Sequence, residues 1–318
     1  MMNAFDSYNK HVLEFNQINE AAKNDPKGFI DEVEFSYKSI IKEITREIEK
    51  SKNKCKVIML SGPSSSGKTT TANMLINELK SLGFGATIIS LDDFFMGEGK
   101  APLLPNGEYD YEDVRALNIS QLKECLLNLI NKGYCEKPIF DFVNRRPSDC
   151  KELIKLQSGD IAIVEGLHAL NPLITDNLPR KDVLKIYVSV EQGILNEGKL
   201  MLSPKEIRFL RRLVRDYRFR GSLPHETASM WNGVCDGEIK YIKPYKHTSD
   251  IIINSLHIYE PCIMCKDALP LLETFTEKND LYSFVCDMKR VLNRFIPIDD
   301  SLMPKDSMMR EFIGGGIY

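Results

Sequence analysis

The stretch VIMLSGPSSSGKTTTANML, residues 57–75, is the most informative part of the sequence. It begins with a short apolar run rich in strand-forming residues and ends in a helical pattern. Between the two, residues 62–69 match G-x-x-x-x-G-K-[S/T] at every position. This motif is informative only where a strand precedes it and a helix follows, and both conditions are met here. The stretch therefore predicts a strand, a tight turn and a helix, which is the beginning of an α/β fold.

The turn of this motif is suited to hold the phosphates of a nucleotide. Backbone N–H groups of a tight loop and of a helix N-terminus point towards an anion. Lys68 adds positive charge for the terminal phosphates, and the Thr69 hydroxyl is placed to bind Mg²⁺. We find no Asn/Thr-Lys-x-Asp segment that would bind guanine, so the sequence favours ATP. The predicted nucleotide ligands are Gly62, Ser64, Ser65, Ser66, Gly67, Lys68, Thr69 and Thr70.

Four more apolar runs follow the first strand, namely GATIISL, DIAIVEG, VLKIYVSV and DIIINSL, and helical patterns separate them. Strands that alternate with helices predict a mostly parallel sheet with helices on both faces, as in P-loop NTPases. We expect this main domain to span residues 55–265. Helical extensions are predicted before it, over residues 1–54, and after it, over residues 266–318.

The N-terminal extension carries one apolar stripe in DEVEFSYKSIIKEITREIEK, residues 31–50. Its members recur at helical spacing: Val33, Tyr37, Ile40, Ile41, Ile44 and Ile48. Such a stripe must be covered by apolar surface. We expect it to pack against the main domain, with a second subunit in a homo-oligomer as the alternative.

Composition limits the kinds of partner. Hydrophobic residues make up 43% and charged residues 27% of the 318 residues, which is typical of a globular chain. The net charge of −3 gives no general attraction to nucleic acid or to an anionic membrane. The sequence shows no signal peptide and no apolar run of membrane-spanning length, so a cytoplasmic location is expected. Cys262 and Cys265 form the one C-x-x-C pair, without a second pair at zinc-ligand spacing.

Acidic residues end two of the predicted strands. Asp92 and Asp93 follow the second strand, and Glu165 ends the third. Ligands of open α/β sheets gather at the carboxyl ends of the strands. A carboxylate there can hold Mg²⁺ or accept the proton of an attacking hydroxyl, a role typically worth ~10²–10⁴-fold in rate. For Asp93 we favour a local structural role at the turn.

An arginine-rich helix is predicted in SPKEIRFLRRLVRDYRFRG, residues 203–221. Ser203 and Glu206 form a capping box around Pro204, and Gly221 ends the helix. The arginines, which cluster on one side, are Arg208, Arg211, Arg212, Arg215 and Arg218. Like charges at this spacing repel one another, which favours a lid that closes over phosphates. A solvated basic face is the alternative.

The order of the motifs resembles the uridine kinase and phosphoribulokinase family of P-loop kinases. After the phosphate loop come SLDDFF, YDYEDVRA, IFDFVNRR, VEGLHAL and RRLVRDYRFRG, over about residues 55–265. By this resemblance, Asp92 is the catalytic base that deprotonates the 5′-hydroxyl of a nucleoside, and Glu165 lies near Mg²⁺. Asp110 corresponds to the aspartate that binds the ribose hydroxyls, and Tyr109 to an aromatic residue of the sugar pocket. The resemblance also implies that the lid binds phosphate through Arg212, Arg215 and Arg220. Lys68 would act with them in phosphoryl transfer.

The base pocket departs from the family pattern. Members that select uridine and cytidine carry a tyrosine and a histidine where this chain has Phe140 and Arg145. Ser222 and Met230 replace a lid arginine and a glutamine, and Ser65 stands where glycine is usual. Pyrimidine specificity therefore does not carry over. Arg145 could hold a phosphate of the substrate together with its neighbour Arg146, or it could be an exposed arginine without a ligand.

These observations predict an ATP- and Mg²⁺-dependent kinase whose substrate is a small molecule, with a nucleoside as the expected acceptor. A kinase for another hydroxyl compound, such as a sugar phosphate, is the alternative within the same class. A P-loop nucleotide switch that controls a partner protein is the alternative from another class. A third interpretation is an RNA-associated protein, whose binding would depend steeply on salt.

Overall fold

The computed structural model describes residues 14–50, 55–279 and 281–318. Two helices come first, α1 (Phe15–Asn24) and α2 (Pro26–Lys50). The six apolar residues predicted as one stripe are all buried on α2, in the same core as the central sheet. The expectation that the stripe packs against the main domain is therefore confirmed. The helical prediction for residues 1–13 and 51–54 lies outside the described residues.

The rest of the chain alternates strands and helices, as predicted. The strands are β1 (Val57–Ser61), β2 (Ala86–Ser90), β3 (Tyr134–Asp141), β4 (Arg146–Lys155), β5 (Ile161–Glu165), β6 (Val183–Ser189), β7 (Ile194–Asn196), β8 (Lys199–Leu202) and β9 (Ile251–Asn254). The helices are α3 (Lys68–Ser81), α4 (Ile119–Lys132), α5 (Pro172–Thr175), α6 (Pro204–Phe219), α7 (Pro224–Gly237), α8 (Glu260–Glu273), α9 (Tyr282–Leu292) and α10 (Arg310–Ile313).

The central sheet has five strands in the order β2-β5-β1-β6-β9, and all four neighbouring pairs are parallel. All five correspond to the apolar runs seen in the sequence. Along β1 the side chains alternate between two buried clusters: Ile58 and Leu60 belong to one, Val57 and Met59 to the other. A strand buried on both faces reads as a continuous apolar run. The predicted α/β fold with helices on both faces is thus confirmed.

Two antiparallel hairpins, β3–β4 and β7–β8, were not predicted. Most of β4 is exposed to solvent, so its sequence RPSDCKELIK lacks the apolar alternation that marks a half-buried strand. The β3–β4 hairpin lies in the chain between α4 and β5. It contacts the turn after β2 through Asp93, so it stands beside one of the strand ends where the predicted acids lie.

Both terminal extensions are joined to the helix that follows the phosphate loop. On α2, the Tyr37 hydroxyl lies 2.6 Å from the hydroxyl of Thr71 on α3. The buried carboxylate of Glu34 accepts hydrogen bonds from the hydroxyls of Tyr259 and Ser307. Helix α2, the start of α8 and the C-terminal segment thus meet behind α3. The boundaries at residues 54 and 265 stay a prediction. No helix in the described part of the chain is long and apolar enough to cross a membrane.

Candidate active site

The phosphate loop connects β1 to α3 and has the close packing that its glycines predict. A Cβ atom on Gly62 would lie 1.9 Å from the carbonyl oxygen of Val188, so no side chain fits there. Gly67 precedes α3 with a φ of 86°, in the left-handed region that favours glycine. Ser65, where the family usually has glycine, also has a positive φ, of 59°. The loop is therefore a concave turn with its backbone close to the neighbouring strand.

The loop offers donors that no described residue uses. The buried hydroxyls of Ser65 and Ser66 have no hydrogen-bond partner among the described residues. The ammonium of Lys68 donates to the carbonyl of Pro63, 3.1 Å away. Desolvation lowers the pKa of Lys68, and the nearby carboxylates of Glu165, Glu311 and Asp92 act to raise it. A cradle of unpaired donors around a lysine fits the phosphates of a nucleotide.

Two predicted site residues, Asp92 and Glu165, lie at the ends of β2 and β5. The parallel register pairs Ser90 with Glu165, and the Ser90 hydroxyl donates to the Glu165 carboxylate at 3.2 Å. The same hydroxyl accepts from the backbone N–H of Asp92. Asp92 is open to solvent in the cleft, yet the surrounding protein raises its pKa by desolvation, against the lowering effect of Lys68. Desolvation likewise raises the pKa of Glu165.

Asp93 points to the hairpin. Its carboxylate accepts from the ammonium of Lys137 on β3 and from the backbone N–H of Phe140, at 3.3 Å. This is a structural role, as favoured from the sequence, although the contact is with the hairpin and not with the following turn. Thr69 lies exposed at the start of α3. Among the described residues, no group of three or more His, Cys, Asp or Glu forms a metal cluster.

The three lid arginines of the prediction share one acid. Arg212, Arg215 and Arg220 lie 3.2, 3.3 and 3.3 Å from the buried carboxylate of Asp216. Arg212 also donates to the hydroxyl of Ser64 in the phosphate loop, at 2.8 Å. Desolvation lowers the pKa of Arg212 and of Arg215. Three cations beside one carboxylate leave an excess of positive charge at the loop, which fits an anionic ligand.

Two other arginines of the predicted lid cluster, Arg208 and Arg211, are buried and hold the phosphate loop from behind, so their predicted place in the lid is corrected. Arg211 is paired with Glu260 at 2.6 Å and donates to the carbonyl of Ser65 at 3.3 Å. Arg208 is paired with Glu238 and donates to the carbonyl of Ser64 at 3.0 Å. Their acidic partners come from distant parts of the chain. No local signal distinguishes these two arginines from those that face the cleft.

A second polar group is built around Asp110. The buried Asp110 carboxylate accepts from the hydroxyl of Tyr241 at 2.6 Å and from the backbone N–H of Glu112 at 3.2 Å. Lys240 approaches it to 3.6 Å. Tyr109 is partly exposed next to it. We call this part, with the β3–β4 hairpin, the acceptor end, and the phosphate loop with the arginines of α6 the nucleotide end.

Phe140 and Arg145 both belong to the hairpin. The ring of Phe140 packs between the rings of Phe95 and Phe142, at centroid distances of 5.9 and 5.1 Å. Arg145 lies at the hairpin tip, 72% exposed in its side chain, and its guanidinium is 3.7 Å from the carboxylate of Glu98. Their predicted contact with a substrate stays a prediction. The Glu98 pair gives Arg145 a partner within the chain.

Glu112 and His168 also lie at the acceptor end, and sequence reasoning assigned neither of them a role. Desolvation raises the pKa of Glu112, and Arg212 lowers it. Burial lowers the pKa of His168 to about 4, against the raising effect of Asp113. The Nδ1 atom of His168 has no hydrogen-bond partner among the described residues. Glu112 lies two residues after Asp110, and His168 lies three residues after Glu165. This closeness in sequence to predicted site residues is the signal that could have identified them.

Comparison with known proteins agrees with this geometry. The family model described as Phosphoribulokinase / Uridine kinase family matches residues 57–260, more than half of the chain. A uridine kinase from Staphylococcus haemolyticus is 30% identical over 200 residues, which cover 62% of this chain and 86% of that protein. A uridine kinase from Clostridium botulinum is 29% identical over 201 residues, with 62% and 86% covered.

Among solved structures, one from Silicibacter sp. TM1040, described provisionally as a fructose transport system kinase, has a TM-score of 0.51. It is 17% identical and covers 67% of this chain and 98% of that chain. At 17% sequence identity, the similarity shows a shared fold and nothing further. The family model leaves the residues before 57 and after 260 outside its range.

Proposed function

This chain belongs to the phosphoribulokinase / uridine kinase family, and we propose that it transfers the γ-phosphoryl group of ATP to the 5′-hydroxyl of a nucleoside. Membership of the family makes it a P-loop kinase that acts on a hydroxyl group of a small molecule, and implies ATP and a divalent metal ion. The nucleoside is the part that we propose. The notion of a nucleotide switch without an acceptor does not explain the acidic groups of the acceptor end.

One observation carries the proposal: the carboxylate of Asp92, at the end of β2, lies near enough to Lys68 for their charges to interact, and the surrounding protein raises its pKa. A general base must be near the proton that it removes and must have a suitable pKa. Desolvation moves the pKa of Asp92 upwards, towards the range in which a carboxylate is an effective base. A switch that only hydrolyses ATP would not need a second acidic residue, such as Asp110, to bind a sugar.

The residues of the nucleotide end would bind and orient the phosphates. The loop N–H groups and the hydroxyls of Ser65 and Ser66 would donate to phosphate oxygens, and Lys68 would carry charge for the terminal ones. Thr69 and Glu165 would hold Mg²⁺, which neutralises charge on the phosphates when bound. Arg212 and Arg215 would add positive charge where negative charge develops during transfer. Asp92 would accept the proton of the acceptor hydroxyl.

The acceptor end offers groups that suit a ribose. An ionised carboxylate has about four lone-pair positions, and two of those on Asp110 are used by Tyr241 and by the N–H of Glu112. The remaining ones could accept from two neighbouring hydroxyls, as the 2′- and 3′-positions of a ribose present them. Tyr109 and Phe140 would provide aromatic surface for the sugar and the base. These contacts support a nucleoside as the acceptor over a compound without a vicinal diol.

The proposal is tested by measuring ADP release from Mg·ATP with a panel of acceptors. The panel contains uridine, cytidine, purine nucleosides, 2′-deoxynucleosides, ribulose 5-phosphate and a blank. We expect at least one ribonucleoside to stimulate release well above the blank, and its 5′-monophosphate to appear in equal amount. Stimulation by the sugar phosphate alone would move the assignment to a sugar-phosphate kinase. Release that no acceptor stimulates would contradict the kinase.

A further inference from the structure

The C-terminal segment of residues 307–318 lies against the phosphate loop, outside the range of the family model. A Cβ atom on Gly67 would lie 2.4 Å from the sulfur of Met308, so this segment contacts the loop directly. A cavity of about 320 Å³ opens between the two. Thr69, Thr70 and Asn73 of α3 line one side of it, and residues 314–316 line the other. The cavity thus begins where the phosphate-binding residues end.

The C-terminal wall of this cavity is firmly held in place. The guanidinium of Arg310 donates to the carbonyls of Asp300 and Met303, at 2.6 and 2.8 Å, and to that of Gly314 at 3.2 Å. Arg218 of α6 donates to the carbonyl of Ile313. The hydroxyl of Tyr318 accepts from Asn77 of α3 at 3.3 Å. These hydrogen bonds make the segment an integral part of the nucleotide end.

An acidic side chain of this segment already occupies an anion position. The carboxylate of Glu311 accepts from the backbone N–H and the hydroxyl of Thr70, at 3.2 and 2.9 Å. These donors lie in the first turn of α3, where helices bind anions. The same carboxylate lies 3.7 Å from Arg215. Glu311 therefore has a second partner, the cationic Arg215, to which it can turn when another anion takes its place at Thr70.

The order of groups along the loop indicates what the cavity holds. Lys68 serves the terminal phosphates of a P-loop nucleotide. A phosphate chain that extends from Lys68 along the loop to Thr70 would bring its ribose to the cavity, which Thr70 lines. A ligand that continues past Thr70 enters the cavity. The cavity is at the small end of the range for small-molecule sites. The ring of Phe219 and the planar guanidinium of Arg310 flank it, and planar groups of these kinds stack on planar bases.

We propose that residues 310–318 form the pocket for the base and ribose of the nucleoside triphosphate, and that Glu311 holds the adjoining phosphate position until the nucleotide binds. The inference rests on the proposed use of ATP, and it adds to the site a segment that lies beyond the family match. Gly315 and Gly316 carry no side chains, and their backbone N–H and C=O groups make no hydrogen bond within the described residues, so these groups are available to bond the edge of a base. Asn73 offers an amide on the opposite wall.

The test compares the binding of ATP with that of tripolyphosphate, which has the phosphates but neither base nor ribose. Dissociation constants are measured by calorimetry on the full chain. We expect the unsubstituted protein to bind ATP at least tenfold more tightly than tripolyphosphate. Phe219→Ala and Asn73→Ala should weaken ATP binding fivefold or more and leave tripolyphosphate unchanged. Leu153→Ala, an exposed position on β4, is the control and should change neither.

A second variant tests the role of Glu311. Glu311→Gln keeps the shape of the side chain but removes its charge, so we expect both ATP and tripolyphosphate to bind severalfold more tightly. Thermal melting of each variant verifies that it is folded. Equal affinity of the unsubstituted protein for ATP and tripolyphosphate, or equal losses of both in Phe219→Ala and Asn73→Ala, would overturn the pocket and leave the kinase standing. Absence of binding by either ligand would overturn both.

Discussion

The two ends of the cleft are built in different ways. At the nucleotide end, the loop is held from behind by the buried arginines Arg208 and Arg211, each paired with an acid. At the acceptor end, Phe142 and Val143 at the tip of the β3–β4 hairpin are 62% and 92% exposed. The first end is fixed before any ligand arrives. The second carries apolar surface that is free to cover a substrate, since exposed apolar side chains grouped at a cleft commonly mark a binding site.

This difference indicates how the protein separates two tasks. Binding of triphosphate requires donors in fixed positions, because preorganised groups need no rearrangement during the reaction. Selection of the acceptor requires a surface that can change from one protein to another without disturbing the loop. The ion pairs of α6 and the hairpin do not share residues, so substitutions at one end should leave the other intact. Substitutions at each end test that separation.

The largest effect is expected for Asp92→Asn, which lies between the two ends. The amide cannot accept the hydroxyl proton, so acceptor-stimulated ADP release should fall by ~10²–10⁴-fold. Binding of ATP should persist, because the loop donors are untouched. The rate is measured with the acceptor found in the panel, and the ATP dissociation constant by calorimetry. Asp31→Asn, at an exposed position of α2, is the control. Turnover equal to that of the control would exclude Asp92 as the base.

The second-largest effect is expected for the buried ion pair of Arg211 and Glu260, which supports the phosphate loop at the nucleotide end. Glu260 accepts two hydrogen bonds from the fully buried Arg211, at 2.6 and 2.7 Å. Glu260→Gln leaves that guanidinium without a counter-ion, and breaking a buried pair in this way typically costs ~3–5 kcal/mol. We expect urea unfolding to show a loss of this size. Glu273→Gln, an exposed position on the same helix, should change the free energy of unfolding by less than about 0.5 kcal/mol.

Glu260→Gln also tests whether the support matters for binding. Arg211 contacts the carbonyl of Ser65, so a displaced guanidinium should weaken ATP binding while the acceptor KM stays the same. A variant as stable as the unsubstituted protein would show that the buried pair contributes nothing to the fold. Weakened binding of both substrates would show that the two ends are coupled.

The acceptor end should show a dependence of stability on pH through His168. Its pKa is 6.5 when exposed and about 4 in the folded protein, so it is neutral when folded and protonated when unfolded between these values. The unfolded state then binds the extra proton, and the free energy of unfolding falls as the pH drops from 6.5 to 4, by roughly 3 kcal/mol. Urea unfolding of His168→Gln should show a flatter slope over this interval. Parallel curves for the two proteins would contradict the assignment.

Much of the nucleotide end could be predicted from the sequence because its signals are local. Each of its features is made of residues that are close in the sequence: the phosphate loop, the acids at the strand ends, and the capping box of Ser203 and Glu206. The structure places them, as expected, in a loop, at strand ends and at the start of a helix. The partners of the buried arginines could not be found in this way. Glu260 lies 49 residues from Arg211, and no rule of spacing joins them.

The acceptor end was harder to predict for a related reason. Its hairpin is exposed, so β4 lacks the alternation that reveals a strand. Nothing in the sequence around Tyr241 indicated that its hydroxyl contacts Asp110. The contact of Glu311 with Thr70 spans 241 residues and was equally hidden. Long-range ion pairs and hydrogen bonds depend on the fold as a whole, and a local pattern does not contain them.

The smallest effect that we predict separates the two ends most directly. Asp110→Asn keeps the size of the side chain but removes the charge that would accept from two ribose hydroxyls. Loss of such hydrogen bonds is worth about 1–3 kcal/mol, so the KM for a ribonucleoside should rise roughly tenfold, with an unchanged ATP dissociation constant. Steady-state kinetics with the 2′-deoxynucleoside give the sharper comparison, because the unsubstituted protein should prefer the ribonucleoside and the variant should lose that preference. Glu108→Gln, an exposed neighbour, controls for the loss of charge. If Asp110→Asn retains the full preference for the ribonucleoside, Asp110 does not bind the sugar, and the acceptor would have to be held by Glu112 or His168 instead.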